Sequence, residues 1–283
     1  MKPILITGAT GTVGGEVVRL LAQAGHPVRA AARRLPAASG QTSVDFVPFD
    51  FADPATYGAA LAGVGRLLLV RPPAIGDAKG VINPFVSAAQ AAGVEQVVFL
   101  SLIGVERNRF VPHHAIEAHI RAIGLPYTFL RAGFFMQNLS TTHRAEIADE
   151  NRIVIPAGQS RTAFLDGRDI AAVAVRALTE DGHANRAYPL TGGAALSYAE
   201  VAAIFSEVLG RRIDYANPPV LGFVRHSLRL GRGLGMTLVM AALYTLGRGN
   251  AATITPDLSQ LLSRPPGTLR QFVIDHRESW EGG

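Results

Sequence analysis

The sequence contains no cysteine. Disulfides, thiolate metal ligands and cysteine nucleophiles are therefore excluded. Lysine is nearly absent, with only Lys2 and Lys79, so almost all positive charge is carried by arginine. No acidic residue occurs between Glu16 and Asp45, and no Tyr-x-x-x-Lys occurs anywhere. Long apolar runs are missing too. The longest uncharged segment near the C-terminus, "GLGMTLVMAALYTLG" (233–247), is bracketed by Arg232 and Arg248. It falls short of the roughly 20 apolar residues that a membrane span requires, so a buried or lid helix is expected there and no membrane association.

What remains is globular: apolar residues make up 48% and charged residues 17% of 283 positions. That length suits one large domain, or one domain with an embedded lobe. The net charge is +5, yet the arginines are scattered, with no dense run and no interleaved aromatics. An anionic small molecule is expected as the partner, and no nucleic acid. The start "MKPILITGATG" runs directly into a strand pattern and glycines, which gives the expectation of a cytoplasmic protein.

Short continuous apolar runs alternate with helical patterns through the first half. "PILITG", "HPVRAAAR", "VDFVPFD", "GRLLLVRPP", "VEQVVFLSLIG" and "LPYTFLRAG" read as strands, with helices between most of them. Continuous apolar strands alternating with helices indicate a parallel sheet covered on both faces. After about Phe134 the rhythm changes. "NRIVIP" and "RTAFLD" read as short strands. "RDIAAVAVRALTE" reads as a helix capped by Asp169, and "LSYAEVAAIFSEVLG" as one opened by a Ser197–Glu200 capping box. The expected fold is α/β: a Rossmann-type doubly wound parallel sheet over 1–133, with a segment at about 162–193 packing back onto it. Residues 134–283 form mainly a smaller α+β substrate lobe and lid.

"TGATGTVGG" lies between the first strand and the first helix, with Gly8, Gly11 and Gly14 three apart. Glycines there allow a tight turn and let backbone N–H groups approach a pyrophosphate at the helix N-terminus. The context of strand before and helix after makes this a dinucleotide site, with Thr10, Thr12 and Val13 in the same turn. A carboxylate for the ribose hydroxyls is expected at the end of the second strand, and Arg33 and Arg34 stand there instead. Arginine suits a 2′-phosphate by charge and by fork geometry, so NADP(H) is the expected cofactor rather than NAD. Asp50 and Phe51, after the third strand, would flank the adenine. Val70, Arg71 and Pro72, after the fourth, would line the ribose side.

The stretch "FVPHHAIEAHI" carries His113, His114, Glu117 and His119 on one predicted helix starting near Pro112. His114 and Glu117 could converge on a cation, but a structural zinc needs four ligands, and no metal is expected. Glu117 is spaced to pair with Arg121 across one turn as a surface interaction. His113 or His114 could instead donate a hydrogen bond or relay a proton near neutral pH.

Several stretches together, "ILITGATGTVGGEVVRLLAQAGHPVRAAARR", "VVFLSLIG", "GLPYTFLRAGFFMQN", "RTAFLDGRDIAAVAVRALTE" and "YPLTGGAALSYAEVA", resemble the NmrA-like branch of the atypical short-chain dehydrogenase/reductases. The likeness runs over almost the whole chain. It implies a Rossmann domain with a small C-terminal substrate lobe. The branch includes NAD(P)H quinone reductases, plant aromatic ether reductases and cofactor-binding regulators. By this resemblance Ser101 holds the catalytic serine position, His113 the lysine position and Arg109 the tyrosine position. The turn "RAGFFMQN" would bring Gly133 and Phe134 to the nicotinamide and Phe135 and Asn138 to the substrate. By their apolar character, Phe223, Met240, Leu243 and Tyr244 could form a lid over a flat aromatic substrate, with plain core the alternative that such spacing more often gives. The resulting expectation is an NADPH-dependent oxidoreductase of quinone-like or conjugated aromatic molecules, acting as monomer or homodimer. A non-catalytic NADP-binding regulator is the alternative.

Overall fold

The computed structural model describes residues 1–35, 44–245 and 251–281. Gly247 and Arg248, at the end of the expected lid segment, lie outside the described residues. The chain divides into two units, Met1–Ala132 with Gly167–Leu190, and Gly133–Asp166 with Thr191–Gly283.

The first unit is built on seven parallel strands. They are β1 (Ile4–Ile6), β2 (Val28–Ala32), β3 (Val44–Pro48), β4 (Arg66–Leu69), β5 (Gln96–Leu102), β6 (Tyr127–Ala132) and β10 (Arg186–Leu190). Their order is β10-β6-β5-β4-β1-β2-β3. Every pairing is parallel. The order reverses between β1 and β4, so the crevice beyond their carboxyl ends is the topological switch point where open α/β sheets bind ligands.

Strand alternation explains the two covered faces. Leu67, Leu69, Val97, Phe99 and Phe129 point into one core with Phe85, Val86, Ile116 and Ile120, from α3 (Asn83–Ala91) and α4 (Pro112–Ala122). On the opposite side α1 (Thr12–Gln23) packs against α7 (Gly167–Thr179), which lies over β4, β5 and β6. Pro112 sits at the start of α4, where its missing N–H costs nothing. Gly25 and Gly124, with φ of 77° and 72°, end α1 and α4 in the left-handed region.

Two expectations shift. The return to the sheet begins at Gly167 rather than near 162, because β9 (Arg161–Leu165) pairs within the second unit, with β11 (Ala195–Ser197) and β7 (Phe134–Phe135). Asp169 lies inside the first turn of α7 and is buried, so it is not the flanking cap residue.

The second unit has its own core, including Ile147, Ile153, Tyr198, Phe205, Phe223, Met240, Tyr244, Phe272 and Trp280. Its α8 (Tyr198–Leu209) opens on the expected capping box between Ser197 and Glu200. There α9 (Val220–Arg229) packs against α10 (Leu234–Thr245). Phe223 is wholly buried, and Met240 and Tyr244 are 7% and 8% exposed. These three side chains therefore form lobe core and not the face of a lid. Among the described residues no helix is long and apolar enough to cross a membrane.

Candidate cofactor and catalytic site

A cavity of about 670 Å³ opens at the switch point of the first unit. Its walls come from the segments that follow the strands: Gly8, Thr10 and Gly11 after β1, Arg33 after β2, Asp50 and Phe51 after β3, and Val70 to Asp77 after β4. Gly8 has φ of 64°, and a Cβ there would stand 3.0 Å from Cβ of Val70. A Cβ on Gly14 would stand 2.2 Å from the Gly8 carbonyl oxygen. Both positions thus require glycine, one for its backbone conformation and one for its close packing. Thr12 is exposed at the first position of α1, whereas the Val13 side chain is buried in the core. Val13 can offer only its backbone N–H, one of the first-turn donors that no helix carbonyl accepts.

Around this cradle the strand ends are tied together. The Thr7 hydroxyl accepts the Val70 N–H at 2.8 Å and donates to the Leu68 carbonyl at 3.1 Å, fixing β1 to β4. Asp50 accepts the Ala52 N–H at 2.9 Å. Phe51 packs edge-on against Phe49 and Phe85, and its carbonyl receives the Tyr57 hydroxyl at 2.5 Å. Arg71 folds onto its own loop, donating from Nη1 to the carbonyls of Pro72, Pro73 and Ile75 at 2.9, 3.2 and 2.5 Å. Nothing in the sequence marks Arg71 as the clasp of that loop, because its partners are backbone carbonyls. Ala74, Ile75, Gly76 and Asp77 also extend the cavity wall, and no motif in the sequence marks them.

The two arginines after β2 differ. Arg33 lines the cavity, while Arg34 is exposed and does not. The Arg33 guanidinium has no protein partner among the described residues, so its five donors are available to a ligand.

The helix α4 separates the histidines. The His113 ring stacks on Phe99, with centroids 5.8 Å apart and planes at 26°. Its Nδ1 is buried without a partner among the described residues. Burial, and then the nearby positive charge of Arg71, lower the His113 pKa from 6.5 to about 4, so the ring is neutral at pH 7. His114 turns the other way, and its Nδ1 lies 3.1 Å from the Val105 carbonyl. His119 bonds the Ser87 hydroxyl at 2.8 Å.

Ser101 and Glu117 depart from expectation. The Ser101 hydroxyl is buried and donates to Glu117 at 2.7 Å. Glu117 is 2% exposed, not a surface residue. It holds Arg131 through two bonds, 3.1 and 2.8 Å, and pairs with Arg121 at 3.3 Å. Arg131 also reaches Glu106 at 3.2 Å. The serine is thus a strut in an ion-pair network joining β5, α4 and β6. The i, i+4 pairing with Arg121 exists, but it is the lesser part of that network. Gly133, Phe134, Phe135 and Asn138 all belong to the second unit. Phe134 and Phe135 form β7, and Asn138 lies in α5 (Gln137–Ser140). Among the described residues no group of three or more His, Asp or Glu could hold a metal.

The sequence pattern of the NmrA-like family matches residues 1–253. The chain belongs to the NmrA-like family. This NmrA-like protein is 35% identical to the NAD(P)H azoreductase of Xenophilus azovorans over 96% of its own length and 97% of the relative's. It is similar to the Citrobacter sp. triphenylmethane reductase complexed with NADP(H). There the TM-score is 0.84 at 27% identity, covering 97% of this chain and 99% of that one. It is also similar to the NADPH-dependent quinone oxidoreductase of Escherichia coli complexed with NADPH. For that structure the TM-score is 0.86 at 26% identity, with coverage of 97% and 99%.

Proposed function

We propose that this NmrA-like protein is an NADPH-dependent reductase of quinone-like or other conjugated aromatic acceptors. The observation that carries the cofactor is Arg33, a guanidinium without a partner among the described residues, on the wall of a switch-point cavity where a ribose-binding carboxylate would select NAD. The names of the relatives, an azoreductase and a quinone oxidoreductase among them, support the acceptor class.

In this reading Gly8, Thr10, Gly11, Thr12 and the backbone of Val13 receive the pyrophosphate at the N-terminus of α1. Arg33 holds the 2′-phosphate, with Arg34 adding charge from further out. Asp50 and Phe51 flank the adenine, and Val70, Arg71 and Pro72 line the ribose side. Bound NADPH supplies the hydride. His113 is the residue of this chain assigned to the proton. Its ring is neutral at pH 7, and its buried Nδ1 lacks a partner among the described residues. It can hold a hydrogen bond to a ligand hydroxyl and relay a proton toward an acceptor oxygen, a role typically worth about 10²–10⁴-fold in rate. His114 is the second choice, since one of its nitrogens already faces Val105. With its hydroxyl spent on Glu117, Ser101 supports the site through that network and does not donate directly. A conjugated acceptor delocalises the charge it receives, so one histidine or water suffices where an isolated carbonyl would need the absent Tyr-x-x-x-Lys. Gly133, Phe134, Phe135 and Asn138 are assigned to the nicotinamide and acceptor side.

A second reading, a non-catalytic NADP-binding regulator, is favoured by that same missing pair and by the engaged serine. The experiment is NADPH oxidation against a panel of quinones, azo dyes, enals and aryl ketones. Turnover of the quinones or dyes is expected, with His113→Ala lowering it far more than it lowers NADPH affinity. Tight NADPH binding with no turnover across the panel would favour the regulator.

A further inference from the structure

The helix α10 buries Thr237, Met240, Ala241 and Tyr244, a stripe at i, i+3, i+4 and i+7 that faces the core of the second unit. The outward face of such a helix is ordinarily polar. Here it carries Leu234, Met236, Leu238, Val239 and Leu243, each between 49% and 55% exposed. No charged side chain interrupts it. The neighbouring α9 adds Leu221, 68% exposed, together with the exposed Arg225 and Arg229. Arg229 is paired with Glu150 at 2.9 Å, whereas Arg225 has no protein partner among the described residues. No aspartate or glutamate occurs between Asp214 and Asp257. Five half-exposed apolar side chains on one helix, with no charge among them, mark an interaction site.

We propose that the α9–α10 face seats this protein on an anionic lipid surface. An apolar face beside arginines, with the neighbouring Glu146 and Glu150 already held by Arg232, Arg229 and Arg152, is the pattern of an interfacial helix, which buries one side into the headgroup boundary without crossing the bilayer. No long span is needed for this, so the shortness of α10 does not argue against it. A second copy of the chain is the other conceivable occupant. A two-fold contact would set this face against a second copy whose nearby carboxylates, Glu146 and Glu150, are already engaged by Arg232, Arg229 and Arg152, leaving no free opposite charge for Arg225. Anionic headgroups supply that charge.

The test is flotation of the full chain with phosphatidylcholine vesicles and with vesicles that also contain phosphatidylglycerol. Binding is expected to the anionic vesicles and to fall with salt. Leu238→Gln with Val239→Gln should weaken it by about tenfold or more, since both side chains enter the apolar layer. Arg225→Glu should weaken binding to the anionic vesicles by roughly tenfold and change little with phosphatidylcholine alone. These side chains are exposed and none of them is assigned to the cofactor, so the circular dichroism spectrum and NADPH affinity should stay as in the native protein. Absence of flotation with either vesicle would overturn the proposal. So would flotation indifferent to the double substitution, or sedimentation showing a dimer that the double substitution dissolves while no vesicle binding occurs.

Discussion

Replacing Arg33 with alanine tests the cofactor assignment at one side chain. Arg33 lines the cavity and has no partner to lose among the described residues, so its removal orphans none of their groups. A hydrogen bond to a charged group contributes about 1.5–3 kcal/mol. Arg33 is exposed, so solvent screening places the effect toward the lower end, about tenfold in Kd. NADH has no 2′-phosphate and should bind nearly as before. Arg34→Ala, which removes a charge outside the cavity wall, should cost less than about threefold. Isothermal titration with both cofactors, at low and high salt, reads all of these quantities. The NADPH preference should shrink with salt in the native protein and be nearly salt-independent in Arg33→Ala. Equal affinity of the native protein for NADPH and NADH would refute the reasoning. A loss in Arg33→Ala that is the same for both cofactors would refute it as well.

Other substitutions probe the scaffold. Gly14→Ala would ordinarily help a helix by about 1 kcal/mol. Here the new methyl would meet the Gly8 carbonyl at 2.2 Å, so the sign reverses. A loss of about 1–3 kcal/mol is expected, read as a lower Tm together with loss of NADPH binding. Glu117→Ala leaves Arg131 half-paired beneath α4 and should destabilise by about 3 kcal/mol, a Tm drop of roughly 6 °C or more. His113 has its pKa lowered from 6.5 to about 4, chiefly by burial. The unfolded chain therefore takes up this proton first as pH falls. Stability is fully present above about 6.5 and is lost as pH drops toward about 4, by about 2–3 kcal/mol. Urea midpoints across that range should fall more steeply in the native protein than in His113→Gln, whose remaining slope comes from carboxylates held below their usual range, such as Glu146 and Glu200.

The parts of the site that were legible in the sequence are those set by neighbours in the chain. Gly8, Gly11 and Gly14 announce a strand–turn–helix because the constraint is local, and Arg33 stands out because a carboxylate is missing beside it. Glu117 was not legible in the same way. Its spacing to Arg121 suggests an exposed helix pair, while its stronger partners, Arg131 and Ser101, lie on different strands. Only the parallel pairing of β5 with β6 brings them together. Met240 and Tyr244 could be read as lid or as core because α10 is apolar on every side, so periodicity could not say which residues face inward; Phe223 stands on the neighbouring α9. Packing in the second unit chose them for its core and left Leu238 and Val239 outside. Asp169 was misplaced as a cap for a smaller reason: α7 starts at Gly167, three residues before the Ile170 start that a cap at Asp169 would set.

The central claim, hydride transfer from NADPH by this chain, is tested most directly by label retention. NADPH deuterated on one or the other face of its nicotinamide C4 is oxidised by the protein with a quinone, and the NADP+ formed is weighed by mass spectrometry. The account predicts that one epimer yields NADP+ that has lost the label and the other yields NADP+ that keeps it. A bound cofactor presents one face to the acceptor. Tight NADPH binding with no oxidation by any acceptor, or equal loss of label from both epimers, would contradict it.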